Sequence, residues 1–299
     1  MNQRNSNNHS ANSHNSNGKN SSGNNQKKSS SNRVDGHLAR KRFGQNFLTD
    51  EGIIRQIVNA FAPERGQNVV EIGPGLGAIT RELLGALGTV QVVELDRDLA
   101  AALPIRLMGD GELQVHQADA LKFDFRSLAT GPHSLRIIGN LPYNISTPIL
   151  FHLLTYADVI ADMTFMLQKE VVERMVAAPG SGDYGRLSVM LQVACDVEWL
   201  LDVPPESFSP PPKVDSAVVR LRPHASSRYH CTDEKHLQRL LTAAFNMRRK
   251  TLRNALKGQG TPEQFTAAGI DLSLRPEEVD VATWVKLSNL LTHDDRQGN

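Results

Sequence analysis

The chain has 299 residues, of which 39% are hydrophobic and 22% charged, with a formal net charge of +1; these are ordinary values for a globular protein that can bury a core unaided. Its two cysteines, Cys195 and Cys231, form no CxxC pair and no His/Cys cluster, which argues against a metal site or a disulfide framework and fits a reducing compartment. No apolar run approaches the ~20 residues that span a bilayer, and the polar N-terminus lacks the apolar stretch of a secretory signal, so a cytoplasmic location is expected.

Residues 1–36 are mostly Asn and Ser, with Arg4, Lys19, Lys27 and Lys28 and no carboxylate before Asp35. Such a segment buries too little apolar surface to offset its ordering entropy, and disorder is expected. It reads either as a weakly basic arm that touches RNA or as a neutral extension. Order is expected from about Arg40. Asp50 is placed to cap a helix, on which Ile53, Ile54, Ile57, Val58 and Phe61 share one face before Pro63 and Gly66 end it.

Strands and helices then alternate. Val69–Ile72 reads as a strand, Ala78–Leu87 as a helix, Val90–Leu95 as a strand and Arg97–Leu103 as a helix. Leu113–His116 and Leu135–Ile138 read as buried strands, Ile145–Tyr156 as a helix and Met163–Leu167 as another strand. Ser216–Leu221 is expected to close the sheet. The alternation predicts an α/β fold with a parallel sheet covered on both faces, binding ligands at the carboxyl ends of its strands. From about His230 the pattern is helical only, with Leu237, Leu240, Leu241, Ala244 and Phe245 on one stripe. The expected division is a tail at 1–36, a Rossmann-like domain at 37–225 and a small helical domain at 226–299.

The segment Val69-Val-Glu-Ile-Gly-Pro-Gly-Leu-Gly-Ala78 runs from a strand through a glycine turn into a helix. Glycines such as Gly73 and Gly75 permit positive φ and let a ligand approach the backbone, and the helix start offers unpaired amides. The next strand ends at Glu94-Leu-Asp96, where a carboxylate can accept the hydroxyl hydrogens of a ribose. Gly73, Gly75 and Ala78 also satisfy a dinucleotide fingerprint, so the loop alone leaves nicotinamide and other nucleoside cofactors open. Asp119, after the third strand, is placed to bond the exocyclic amine of an adenine. Three strand ends offering glycine amides and two acids suit an adenosine ligand.

The fourth strand ends in Gly139-Asn-Leu-Pro-Tyr-Asn144. An amide, a proline and an aromatic at a strand end provide carbonyl acceptors beside a flat stacking face. An amino group on a planar ring needs both, so that its lone pair is turned towards a methyl donor. Hydride transfer has no use for this arrangement, and the oxidoreductase reading recedes.

Seven segments in order now carry a resemblance. They are Lys41-Arg-Phe-Gly-Gln-Asn-Phe-Leu48, Glu71-Ile-Gly-Pro-Gly-Leu-Gly77, Val93-Glu-Leu-Asp96, Gly139-Asn-Leu-Pro-Tyr-Asn144, Met166-Leu-Gln-Lys-Glu170, Phe208-Ser-Pro-Pro-Pro-Lys-Val-Asp-Ser216 and Ala244-Phe-Asn-Met-Arg-Arg-Lys-Thr-Leu-Arg-Asn254. From Arg40 to about Leu291 the chain resembles the KsgA (RsmA) family of small-subunit rRNA adenine dimethyltransferases. The resemblance implies S-adenosylmethionine as cofactor and, as product, dimethylated N6 on two adjacent adenines near the 3′ end of small-subunit rRNA. It further implies that Asn46, Leu48, Gly73, Gly75, Glu94, Asp119 and Asn140 contact the cofactor. Asn140, the Leu141 carbonyl, Pro142 and Tyr143 would receive the adenine, with Phe208 enclosing it from the opposite side and the prolines Pro210–Pro212 stiffening its loop.

RNA affinity is expected from phosphate contacts by Lys41, Arg42, Arg248, Arg249, Lys250 and Arg253, with Arg186 as a further candidate. Small-subunit rRNA within the pre-30S particle is the expected partner, with a monomeric enzyme. A relative acting on large-subunit rRNA, or an assembly factor for which methylation is secondary, are the competing readings.

Overall fold

The structure is a computed structural model that describes residues 33–34, 37–38, 46–224, 228–247 and 249–295. The first 32 residues of the expected tail lie outside them, as do the proposed RNA contacts Lys41, Arg42 and Arg248. The short strands β1 (Arg33–Val34) and β2 (His37–Leu38) pair antiparallel. β3 (Phe47–Leu48) leads into α1 (Glu51–Phe61).

The Asp50 carboxylate accepts from the amides of Gly52 and Ile53 at 2.8 and 3.0 Å, a cap that contributes about 1 kcal/mol. Ile54, Ile57, Val58 and Phe61 are buried. The helix ends when Ala62 turns left-handed at φ 52°, immediately before Pro63. Arg136 holds this end: its guanidinium donates to the carbonyls of Phe61 and Ala62 at 2.6 and 3.0 Å. It also lies 4.1 Å from the Phe61 ring centroid and forms a two-pronged ion pair with Asp162, 2.8 Å on each arm. The last carbonyls of a helix lack partners within it, and Arg136 supplies them.

The chain continues through β4 (Asn68–Ile72), α2 (Ala78–Leu87), β5 (Thr89–Glu94), α3 (Arg97–Arg106), β6 (Glu112–Gln117), β7 (Leu135–Asn140), α4 (Ser146–Leu154) and β8 (Ile160–Gln168). Next come α5 (Lys169–Val176), α6 (Arg186–Ala194), β9 (Cys195–Val203), β10 (Phe208–Ser209) and β11 (Ser216–Pro223). These strands build a seven-stranded sheet in the order β6-β5-β4-β7-β8-β11-β9, while β10 pairs separately with β3. β4 to β8 are parallel; β11 runs antiparallel to both β8 and β9.

Four expectations are therefore corrected. β11 does not close the sheet, because β9 covers its outer edge, and the sheet is parallel only over five strands. Residues 112–117 are the opposite edge strand, with no fully buried residue, because a single neighbouring strand covers them. α3 runs past Leu103 through Pro104 to Arg106; a proline in the last turn of a short helix disrupts only the one bond it would have donated.

Successive residues of the central strands feed opposite faces. Val70, Val93 and Ile137 join α4 residues Ile149, Leu150 and Leu153 in one core. Val69, Val92 and Ile138 join Ile57, Phe61 and Leu83 of α1 and α2 in the other. Such strands, buried on both sides, read as unbroken apolar runs. β4 and β7 approach closely: a Cβ on Gly139 would lie 2.5 Å from the Ile72 carbonyl oxygen.

The C-terminal part contains α7 (Glu234–Asn246), α8 (Leu252–Ala255), α9 (Pro262–Ala268) and α10 (Val281–Asp295). Leu237, Leu240, Leu241 and Ala244 form the expected stripe and meet Trp284 and Leu287 of α10. Tyr184 and Val189, from the α5–α6 region, enter the same core. No helix among the described residues is long and apolar enough to cross a membrane.

Candidate active site

A cavity of about 370 Å³ opens at the carboxyl ends of β4, β5, β6 and β7. Asn46, Leu48, Gly73, Gly75, Glu94, Asp119, Asn140, Leu141, Pro142, Tyr143 and Phe208 all line it. Every sequence-predicted cofactor and acceptor residue within the described chain is thus brought to one space. Six separate stretches of chain meet there: four because parallel strands present their carboxyl ends at the same edge, and two, at Asn46–Leu48 and Phe208, from the antiparallel β3–β10 pair.

The glycine turn follows β4 with Gly73, Gly75 and Gly77 at φ 68°, 59° and 86°, a region that side chains with a Cβ rarely adopt. At Gly75 space is also tight, since a Cβ would lie 3.2 Å from the Phe47 ring, which would have to shift. Glu94, at the end of β5, is 6% exposed. Its Oε2 accepts from the Gly75 amide at 3.2 Å and its Oε1 from the Asp96 amide at 2.8 Å. Burial raises its pKa, while those amides draw it back.

Glu71, within the quoted glycine segment but given no role by sequence, is nearly inaccessible and also borders the cavity. The Thr80 hydroxyl donates to its Oε2 at 2.6 Å. Burial, with Glu94 nearby adding to the effect, pushes its pKa up to about 8. Asp119 is less buried; its Oδ1 accepts from the Leu121 amide at 3.0 Å.

On the acceptor side, Asn140 Nδ2 donates to the Asn46 carbonyl at 3.2 Å. That bond fixes the amide so that Oδ1 is left to accept. The Leu141 amide donates to the Met166 carbonyl at 3.2 Å, and the Pro142 carbonyl accepts from the Ile145 amide at 3.1 Å. These bonds hold the turn that presents Tyr143. Tyr143 is half-buried, and its hydroxyl shares a 2.8 Å hydrogen bond with Ser216 Oγ. Burial raises the phenol's pKa, with the Ser216 bond acting against it. Phe208 is 4% exposed and is held opposite Leu48 in the β3–β10 pair.

Away from the cavity, Arg249, Lys250 and Arg253 are exposed around the start of α8. Arg186 donates to the Thr242 hydroxyl at 3.1 Å, joining α6 to α7. Lys169 lies 3.3 Å from Asp202 and 5.6 Å from the Trp199 ring centroid. Cys195 and Cys231 are free thiols; burial pushes Cys195 up to about 12. Sequence reasoning gave no role to Thr80, nor to Ser216 although it ends one of the quoted segments; both are partners of residues on other segments of the chain.

The family described as ribosomal RNA adenine dimethylase matches residues 36–293. Relatives named ribosomal RNA small subunit methyltransferase A include that of Pseudomonas putida, 54% identical over 85% of this chain and 96% of the relative. That of Dechloromonas aromatica is 54% identical over 87% of this chain and 100% of the relative. Among solved structures, a dimethyladenosine transferase from Plasmodium falciparum superimposes with a TM-score of 0.69 at 27% identity, covering 84% of this chain and 98% of that one. The 23S rRNA methyltransferase ErmE gives 0.65 at 28% identity, covering 83% and 100%. With a match over most of its length and a cavity built from the same segments that its sequence singled out, this chain belongs to the ribosomal RNA adenine dimethylase family.

Proposed function

We propose that this enzyme methylates N6 of two adjacent adenines near the 3′ end of small-subunit rRNA, leaving N6,N6-dimethyladenosines, during assembly of the pre-30S particle. It is an S-adenosylmethionine-dependent rRNA methyltransferase. One observation supports transfer to the amine of a flat base: Glu94, Asp119, Asn140, Tyr143 and Phe208, from five separate stretches of chain, line one cavity. The 54% identity to small-subunit enzymes, against 28% to ErmE, supports the small subunit over the large one.

The residues fit the cofactor. Each Glu94 oxygen already accepts one backbone amide, and a carboxylate oxygen has a second acceptor site for a ribose hydroxyl. Gly73 and Gly75 leave the backbone bare where a nucleoside must pass. Asn46, Leu48, Gly73, Gly75, Glu94 and Asp119 would hold it, with Asp119 facing its adenine ring. Bound S-adenosylmethionine supplies a sulfonium-activated methyl group, so the protein need not provide a nucleophile.

The chain's own work is orientation. Asn140 Oδ1 and the Leu141 carbonyl accept the hydrogens of the target amine and aim its nitrogen at the donor site. Tyr143 and Phe208 offer aromatic faces to a base that must leave its stack to enter. An asparagine amide is no general base at neutral pH, so the displaced proton departs to water. Arg249, Lys250 and Arg253, together with Lys41, Arg42 and Arg248, would contact phosphates. A division into a catalytic part at 37–225 and a helical RNA-binding part at 226–299, a monomeric state and a cytoplasmic location complete the reading.

Mapping by mass spectrometry tests it. Small subunits lacking the modification, treated with enzyme and cofactor, should gain mass at two neighbouring adenines near the rRNA 3′ end. Gain elsewhere, or at a single base, would overturn the assignment.

A further inference from the structure

Ser216 is the first residue of β11, fully buried, and sits in register with Gln168 of β8 on one side and Val203 of β9 on the other. The residue before it is also tied down, because the Lys169 amide donates to the Asp215 carbonyl at 3.0 Å. Its Cβ is therefore held on the sheet, leaving the Oγ as a bonding point free only to rotate about χ1. Tyr143 belongs to a turn instead, and its hydroxyl reaches that point at 2.8 Å. A tyrosine ring can turn about two side-chain bonds; its hydroxyl lies on the axis of the second, so a hydrogen bond at its far end restrains the first and fixes where the ring points. The loop that ends at Ser216 begins at Phe208, which lines the same cavity and is held through its pairing with Leu48. One segment, residues 208–216, thus sets both aromatic faces, Phe208 directly and Tyr143 through a hydroxyl.

We infer that Ser216 is a positioning residue that anchors the far end of the Tyr143 ring, and with it the spacing of the slot that receives the flat target base. The inference rests on the reading of Tyr143 as a face for the base. Productive alignment is steeply sensitive to small displacements, so a ring free to swing should slow transfer without touching the cofactor.

The experiment is a double-mutant cycle on the full chain, read by methyl transfer to small subunits and by calorimetric affinity for S-adenosylmethionine. Ser216→Ala and Tyr143→Phe remove the same bond from its two ends. Each should lower kcat/KM about tenfold, cofactor affinity should stay unchanged, and the double variant should be no worse than the poorer single one. The phenol provides a second readout: in ultraviolet difference titration against Tyr143→Phe, Ser216→Ala should shift Tyr143 ionisation to higher pH. Additive losses, or wild-type activity in Ser216→Ala, would overturn the role of Ser216. If Ser216→Ala does not fold, Tyr143→Phe decides alone, and wild-type activity in it defeats the proposal. Tyr143→Ala separates the two levels. If it is crippled while Ser216→Ala is not, the aromatic face stands and the positioning role falls; if it is fully active, both fall.

Discussion

The Asn140 side chain donates to the backbone carbonyl of Asn46 across 3.2 Å, joining the end of β7 to the residue that precedes β3, the strand paired with Phe208. The amide proposed to receive the target amine is thereby oriented by main chain ninety-four positions away in sequence. Asn140→Ala removes the acceptor and this tether together. Transfer to small subunits should fall by about a hundredfold or more, with the melting temperature nearly unchanged because the residue lies at the cavity rather than in the core. A variant with near-normal kcat would remove Asn140 from the chemistry.

Glu94 should separate cofactor binding from RNA binding. Glu94→Ala deletes the carboxylate between the Gly75 and Asp96 amides, and calorimetry should find S-adenosylmethionine binding lost. Co-sedimentation with small subunits should persist, since the exposed cations are elsewhere. Loss of both would mean that particle binding depends on the filled cofactor site.

Glu71 makes stability depend on pH. Its pKa is raised from 4.5 to about 8 in the folded protein. Below 4.5 both folded and unfolded states hold the proton. Between 4.5 and 8 only the folded state does, so stability falls as pH rises, by on the order of 1.4 kcal/mol per pH unit from this group. Glu71→Gln keeps an acceptor for Thr80 but cannot ionise. Urea unfolding from pH 5 to 8.5 should show a shallower decline for the variant and a higher stability at the alkaline end. Parallel profiles would contradict the assignment.

Arg136 should be a stability residue with no direct part in transfer. Its side chain is 14% exposed and Asp162 is 11% exposed, so Arg136→Ala takes the two-pronged partner from a buried carboxylate and the donor from two helix-end carbonyls. Arg220, 3.9 Å from Asp162, offsets part of the loss. The expected cost is about 3 kcal/mol, read from the urea midpoint. A change below about 0.5 kcal/mol would place the pair among surface contacts.

Replacing Arg249, Lys250 and Arg253 together by Ala tests the phosphate contacts. RNA affinity should drop, and the slope of log affinity against log salt should lessen by about 2 to 3. An unchanged slope would make these cations a solvated face only.

Much of the cavity was legible because its parts are local. The glycine turn after β4, the acid ending β5 and the Asn140–Tyr143 turn each declare themselves within a few residues. The α1 cap at Asp50 and the α7 stripe are equally short-ranged. What was missed depends on distant partners. Tyr143 and Ser216 lie 73 positions apart, and Arg136 meets the α1 end from 75 positions away. β9 escaped because Cys195–Val203 is a sheet edge, mostly exposed or half-buried and interrupted by Asp196, Glu198 and Asp202, without the unbroken apolar run of a central strand. Glu71 looked like one more acid in a glycine segment; only the packing of α2 against β4 makes it a buried one.

The central claim is tested most directly by offering the enzyme labelled S-adenosylmethionine with small subunits, large subunits and duplex DNA in parallel, then digesting the nucleic acid to nucleosides. The account predicts label in small-subunit RNA alone, recovered as N6,N6-dimethyladenosine. Label in large-subunit RNA, or none in any substrate despite measurable cofactor binding, would contradict it.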